Sequence, residues 1–465
     1  MLTYDLSNKT GPLYVYLYQS LKKDISEGRI LPGTKLPSKR TFADNLGVST
    51  ITIENAYGQL ESEGYIQSKP RKGYYVVDIP NFSIKKGKVK SKNKKSSVKE
   101  TEDLFDISSN RADADSFPFS VWSKLMREVL AEKPHQLMDN SEKTGVYELR
   151  AAIADHLYSY RGMDIDPDQI IVGAGTEYLY GILVNLLGRD KIFCVENPGY
   201  MKPKLIYESN NVRCVYANMD DKGINVREIK DKKADVIHIC PTHHFPTGIT
   251  MPVSRRYELL TWANEKKGRY IIEDDYDSEF RLKGKPVPPL FCMDVLGKVI
   301  YMNTFSKSLA PTIRISYMIL PEHLLKKYKK ELGFYSCTVP TFEQYTLASF
   351  ISKGYFEKHI NRMRIYYGKK RKALIESIEK NIPFEKYEII ENDSGLHFNM
   401  KLDINMTDKK FKDFLRGRGI NVMAVSDYYM DDTMKDHHIF IINYSSIDIE
   451  KLSEMIKMLR HPDSK

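Results

Sequence analysis

The run Lys85 to Lys99, KKGKVKSKNKKSSVK, contains no apolar residue except Val89 and Val98. A stretch of this kind cannot bury a face, so the parts of the 465-residue chain on either side must fold separately. A chain of this length also exceeds one ordinary domain. The boundaries read from composition are a first domain over residues 1–78, a linker over 79–103 and a second domain over 104–465. Within the last, a larger α/β part is expected over about 140–321 and a smaller α+β part over about 322–465. The net charge of +10 is concentrated in the linker. Residues 79–100 hold 8 lysines and one glutamate, whereas residues 1–78 hold 10 basic and 8 acidic side chains. A flexible tether of about 25 residues spans roughly 25–30 Å, and its lysines can screen nearby phosphates.

Before the linker, Leu13, Tyr16, Leu17 and Leu21 recur at helical spacing. A second helix is expected after Pro37, with Ser38 as N-cap and Phe42, Ala43 and Leu46 facing inward. Gly47 ends it, and Ser49 caps a third helix in which Ile53, Ala56, Tyr57 and Leu60 form the apolar face. Tyr65–Gln67 and Tyr74–Val77 then alternate as two strands around the basic turn from Lys69 to Gly73. Helix, turn, helix and basic hairpin make a winged helix-turn-helix, whose partner is double-stranded DNA. Ser49, Thr50, Ile51 and Thr52 stand at the end of the recognition helix that enters a major groove. Arg40 reaches a guanine or a phosphate, and Arg71, Lys72 and Gly73 form the wing tip.

After the linker, short apolar runs alternate with amphipathic helices, the pattern of an α/β domain with a largely parallel sheet. One such run, from Tyr301, leads into Thr304-Phe305-Ser306-Lys307-Ser308-Leu309-Ala310-Pro311, with Arg314 beyond. A lysine among hydroxyl residues with an arginine seven positions on supplies an amine and an anion site. Pyridoxal 5′-phosphate (PLP) requires both: a lysine for its aldehyde carbon and positive donors for its phosphate. Three further turns agree. Gly173-Ala174-Gly175-Thr176-Glu177 opens a helix after a strand and offers backbone N–H groups to a phosphate. Glu273-Asp274-Asp275-Tyr276-Asp277 places carboxylates at a strand end, where one can hold a pyridine nitrogen protonated. Asn197-Pro198-Gly199-Tyr200 presents an aromatic ring for stacking.

Two resemblances follow. Leu36-Pro37-Ser38-Lys39-Arg40-Thr41-Phe42-Ala43, Leu46-Gly47-Val48-Ser49 and Gly64-Tyr65-Ile66 resemble the GntR-type winged helix, with Thr50 where that family often has arginine. The lysine motif, with Phe117-Pro118-Phe119, Phe245-Pro246-Thr247-Gly248 and Phe280-Arg281, resembles fold-type I PLP enzymes of the aspartate aminotransferase class. Together they look like the MocR/GabR subfamily of GntR regulators. The fold implied is an N-terminal winged helix joined by a basic linker to an α/β fold-type I aminotransferase-like domain with a small α+β subdomain. By that resemblance Lys307 forms the internal aldimine, and Asp274 pairs with the pyridinium nitrogen, Asp275 being the alternative. Tyr276 bonds the phenolic oxygen, Tyr200 stacks on the ring, and Ser306, Arg314, Gly175 and Thr176 hold the phosphate. A homodimer is also implied.

Two departures bear on function. Phe245 stands where aminotransferases usually have asparagine, and the segment His437–Tyr444 lacks their carboxylate-clasping arginine. Lys202, near Tyr200, is the candidate for an effector carboxylate. The function expected is a PLP-dependent transcription regulator sensing PLP itself, or an amino acid or amine that forms an external aldimine. The alternatives are a PLP-dependent aminotransferase with an accessory DNA-binding domain, and a DNA-binding protein whose second domain has lost its cofactor. The missing arginine leaves at most weak or partial aminotransferase chemistry. The chain has no run of 18 apolar residues and no signal peptide pattern, so a cytoplasmic protein is expected. Its five scattered cysteines are read as free thiols, with no metal site.

Overall fold

The computed structural model describes residues 4, 11–78, 105–108, 116–281, 287–381, 386–390, 395–431, 436–445 and 447. The linker and its lysines from Lys85 to Lys99 lie outside these residues. The chain divides into two compact units, residues 1–99 and 100–465.

In the first unit, helices Leu13–Ser26 (α1), Lys39–Leu46 (α2) and Thr50–Ser62 (α3) precede strands Ile66–Lys69 (β1) and Gly73–Val76 (β2). The Ser38 hydroxyl accepts the Thr41 amide and the Ser49 hydroxyl that of Thr52, so both expected caps form. Gly47 ends α2 in the left-handed region at φ 66°, which lets the chain turn at once into α3. Leu17, Leu21, Phe42, Ile53, Tyr57 and Leu60 close a single core. Phe42 stacks on Tyr57, and Tyr57 donates its hydroxyl to Pro37 O at 3.0 Å, which ties α3 to the loop before α2. The hairpin is tighter than the sequence suggests. Lys69 pairs with Gly73, and Lys72 N donates to Lys69 O, so only Pro70, Arg71 and Lys72 form the tip.

The second unit begins with Phe105–Asp106 (β3) and helices Phe119–Glu132 (α4) and Tyr147–Arg161 (α5). Strands and helices then alternate: Ile170–Gly173 (β4), Thr176–Leu187 (α6), Ile192–Asn197 (β5), Met201–Ser209 (α7), Arg213–Asp220 (β6), Gly223–Ile224 (β7), Val226–Asp231 (α8) and Val236–Ile239 (β8). There follow Val253–Asn264 (α9), Tyr270–Asp274 (β9), Val299–Thr304 (β10), Phe305–Ser308 (α10) and Ser316–Ile319 (β11). These strands form one sheet in the order β4, β11, β10, β9, β8, β5, β6, β7. The five central strands β10, β9, β8, β5 and β6 run parallel, while β11 is antiparallel to both its neighbours. Burial is continuous along the central strands because both faces are covered. Ile171, Ile272, Ile300 and Met302 enter one core, and Val172, Tyr301 and Tyr317 enter the other.

Helices Glu322–Glu331 (α11), Thr341–Ser352 (α12) and Tyr355–Asn381 (α13) lead to a second sheet. It contains Tyr387–Ile390 (β12), His397–Leu402 (β13), Met423–Ala424 (β15) and Ile439–Asn443 (β16) in the order β12, β13, β16, β15. Asp408–Arg416 (α14) and Ile420–Asn421 (β14) lie between β13 and β15 in the chain, outside that sheet. The smaller part also draws on residues far upstream: β14 pairs in parallel with β3, and Asn443 N donates to Ile107 O.

The end of β9 is anchored by ions. Arg161, at the C-terminus of α5, meets Asp275 at 2.7 Å with both side chains about 1% exposed, and Tyr301 donates to the same carboxylate oxygen at 2.6 Å. Removing one partner of such a pair leaves a buried charge uncompensated. Arg161→Met is expected to cost about 3–5 kcal/mol in denaturant unfolding of the full chain. A loss below about 1 kcal/mol would mean that the pair does not anchor the strand.

Candidate functional site

A cavity of about 760 Å³ opens where the parallel strands end. It is lined by Gly175, Thr176, Tyr200, Lys202, Asp274, Tyr276, Ser306, Lys307 and Arg314, all nine of the cofactor and effector residues expected from sequence. Eight of them sit at or just beyond a strand end: Gly175 and Thr176 after β4, Tyr200 and Lys202 after β5, Asp274 and Tyr276 at β9, Ser306 and Lys307 after β10; Arg314 comes from the loop before β11. Crevices at such strand ends are where open α/β sheets bind ligands.

Of the two candidate carboxylates, Asp274 faces this cavity and Asp275 is committed to Arg161. Asp274 Oδ2 accepts the Tyr180 hydroxyl at 2.6 Å and lies 3.3 Å from His238 Nε2. His238 Nδ1 meets the Tyr207 hydroxyl at 2.8 Å. Asp274 Oδ1, although buried, has no hydrogen-bond partner among the described residues. Half a carboxylate is thus fixed by a three-residue chain and half is left free. Lys307 stands half-buried opposite, its ammonium held below the usual lysine range by burial, against the opposing pull of Asp277. Burial also pushes the Tyr276 hydroxyl well up, and that hydroxyl lies 3.4 Å from His243 Nδ1.

Arg314 defines the other end. Its guanidinium covers Gly175, where a Cβ would lie 2.4 Å from Nη2, and the φ of 91° there is one that other side chains rarely adopt. Thr176 begins the 12-residue α6, whose free N–H groups and dipole favour an anion. The Ser306 hydroxyl is buried with no partner among the described residues. Glu177 occupies the same corner: Oε2 meets Arg314 Nη2 at 3.1 Å, and Oε1 pairs closely with Lys202. Lys202 is therefore held by an internal carboxylate.

The wall opposite the sheet is aromatic. Phe245 lies edge-on to Tyr200, His397 and Tyr428, and all four line the cavity. Tyr200 is placed by Gly199, whose amide donates to Tyr428 O and whose Cβ, if present, would lie 2.3 Å from Glu196 O. Burial holds His244 down to about 3 and pushes Glu196 up to about 8, and His244 Nε2 lies 3.4 Å from Glu196 Oε2. His397 is likewise held well below the ordinary histidine range by burial. From the segment His437–Tyr444, Asn443 reaches the cavity, not a cation. Sequence reasoning missed Tyr180, His238, Glu177, His397 and Tyr428. A usable signal existed for His238, a lone polar residue in the apolar run Val236–Ile239.

In the first unit, Arg40, Ser49, Thr50, Arg71 and Lys72 are exposed, with Thr52 and Gly73 partly so. Ser38 and Ser49 serve as helix caps. Ile51 is 68% exposed at the start of α3, an apolar group offered to solvent where a thymine methyl could meet it. Asn55, one turn further, is exposed as well and was not foreseen.

Comparison with known proteins gives two family matches, aminotransferase class I and II over residues 102–459 and bacterial regulatory proteins of the gntR family over residues 13–76. The chain is 38% identical to the HTH-type transcriptional regulator YdeL of Bacillus subtilis strain 168, covering 97% of this chain and 96% of that one. It is 29% identical to the HTH-type pyridoxine biosynthesis transcriptional regulator PdxR of Corynebacterium glutamicum, over 89% of this chain and 88% of that one. Among solved structures, a kynurenine aminotransferase from Pyrococcus horikoshii, in complex with PMP, superposes with a TM-score of 0.67 at 26% identity, covering 77% of this chain and 90% of that one. A gntR-type winged helix in front of an aminotransferase-class domain is one continuous match to such regulators, and the chain belongs to the MocR/GabR subfamily of GntR-type transcription regulators.

Proposed function

We propose that the protein binds operator DNA through its winged helix and that the occupancy of its strand-end cavity by PLP sets how it does so. The observation that carries this reading is the free, buried Asp274 Oδ1 in a cavity that also holds Lys307 and the Gly175–Arg314 corner. The residues fit the group. Asp274 would hold the ring nitrogen, with Tyr180 and His238 fixing its orientation, and Tyr276 would meet the phenolic oxygen. Tyr200 would lie on the ring. Ser306, Arg314, Thr176 and the amides beside Gly175 would receive the phosphate. When bound, PLP supplies an aldehyde carbon for an amine and an electron-withdrawing ring. Lys307 suits the first role because burial leaves more of its amine unprotonated near neutral pH.

The message favoured by the cavity is PLP itself. The aromatic wall of Phe245, Tyr428 and His397 offers no cation for a carboxylate, and Lys202 is already paired to Glu177. The relative named for pyridoxine biosynthesis is in keeping with that choice. An amino acid effector is the second reading, and PLP titrated alone against the protein–operator complex separates the two. A homodimer is part of the proposal. Phe119, Leu130, Met138 and Tyr147 leave large apolar side chains exposed in and between α4 and α5, surface that such pairing would cover.

Three outcomes are expected. Wild-type protein mixed with PLP gains a visible absorption band that borohydride abolishes as it fixes the cofactor to Lys307, and Lys307→Ala never forms that band while keeping its fold by circular dichroism. A retained band in that variant would overturn the assignment. Arg40→Ala weakens binding to the selected operator by about 1–3 kcal/mol if it reads a base. Arg71→Ala or Lys72→Ala weakens operator and random DNA alike and lowers the salt slope by about one each. Sedimentation of a monomer at working concentrations would defeat the dimer.

A further inference from the structure

The charges at the Arg314 corner do not match what a phosphate site alone requires. Arg314 and Lys202 bring two positive charges, and Glu177 bridges them, with one oxygen on each. The three side chains are 48%, 45% and 38% exposed, so the bridge is screened by water and each contact is individually weak. A phosphate ester near neutral pH carries about −1.5 to −2 charge. It meets a cluster whose net charge is +1, and would leave it negative. Without the Glu177 carboxylate the same corner would be +2 and would match a dianion. Arg314 lies against Gly175, so the guanidinium that meets Glu177 also stands beside the start of α6.

Resting on the cofactor reading above, we propose that Glu177 is a built-in competitor for the anion that Arg314 receives, and that Lys202 acts through Glu177 as its neutralising partner. Phosphate binding then means exchange of one Arg314 partner for another, with Glu177 left to Lys202. The competition lowers affinity for PLP, and a site that fills and empties over a range of cofactor concentration is what a sensor of PLP needs. Lys202 has a positioning role here: it limits the repulsion that Glu177 exerts on the phosphate, and it is not the clamp for an effector carboxylate that its sequence position suggests.

The test is PLP titration of the full-length apo-protein, followed by absorbance, in four forms: wild type, Glu177→Gln, Lys202→Met and the double variant. The glutamine retains size and polarity and removes only the charge. Glu177→Gln is expected to bind PLP about tenfold more tightly, with a steeper dependence on ionic strength. Lys202→Met is expected to bind several-fold more weakly than wild type. In the Glu177→Gln background the Lys202→Met penalty should largely vanish, because the charge that Lys202 neutralises is gone. Unchanged or weaker binding by Glu177→Gln would overturn the competitor. An undiminished Lys202→Met penalty in the double variant would overturn the positioning role and return Lys202 to direct anion contact. Absence of PLP binding in wild type and every variant would instead sink the cofactor reading, a result distinct from either.

Discussion

Arg161 and Asp275, buried together at 2.7 Å, decide which way the end of β9 presents its side chains. Three acids stand in a row there, and side chains along a strand alternate between the faces. Glu273 and Asp275 share one face. Glu273 accepts the amides of Leu290 and Phe291, both at 2.8 Å, and burial with the nearby Asp275 pushes it up to about 7. Asp274 is therefore turned to the opposite face, where the cavity lies. A slip of one residue would send Asp274 into the core and bring two acids to the cavity. The ion pair, though far less visible than a catalytic lysine, sets the register on which the carboxylate depends.

The cofactor side of the site was legible in sequence because each contributing residue is local to a strand end. Gly175, Tyr200, Asp274 and Lys307 sit in turns with their own compositional signatures, and strand order need not be known to expect them in one crevice. The choice between Asp274 and Asp275 was open at that stage, since it depends on where Arg161, 114 residues upstream, places its guanidinium. The winged helix was legible for a similar reason: caps, apolar spacing and the hairpin are all short-range. There the error was one of register, with Gly73 drawn out of the turn and into β2 by its pairing with Lys69.

What sequence did not reveal is long-range by nature. Tyr180, on α6, is 94 residues from the carboxylate to which it donates, and His238 reaches that carboxylate from a neighbouring strand. His397 comes from β13, in a different sheet. The pairing of Lys202 stayed hidden for want of one contact. Nothing in the order of residues says that Glu177, at the start of α6, and Lys202, at the start of α7, share a corner.

The two sides of the cavity carry separable requirements, and the chain treats them differently. Cofactor retention depends on the ends of β4, β9 and β10, buried strands of which β9 and β10 pair in parallel and β4 is held antiparallel to β11. Substrate recognition in an aminotransferase depends on the opposite wall. Here that wall is built from Phe245 in a loop, Tyr428 and Asn443, together with His397, whose charged form burial disfavours. A wall without lysine or arginine gives a carboxylate no ion pair on that side. The strand-end side remains a site for a phosphate-bearing ring.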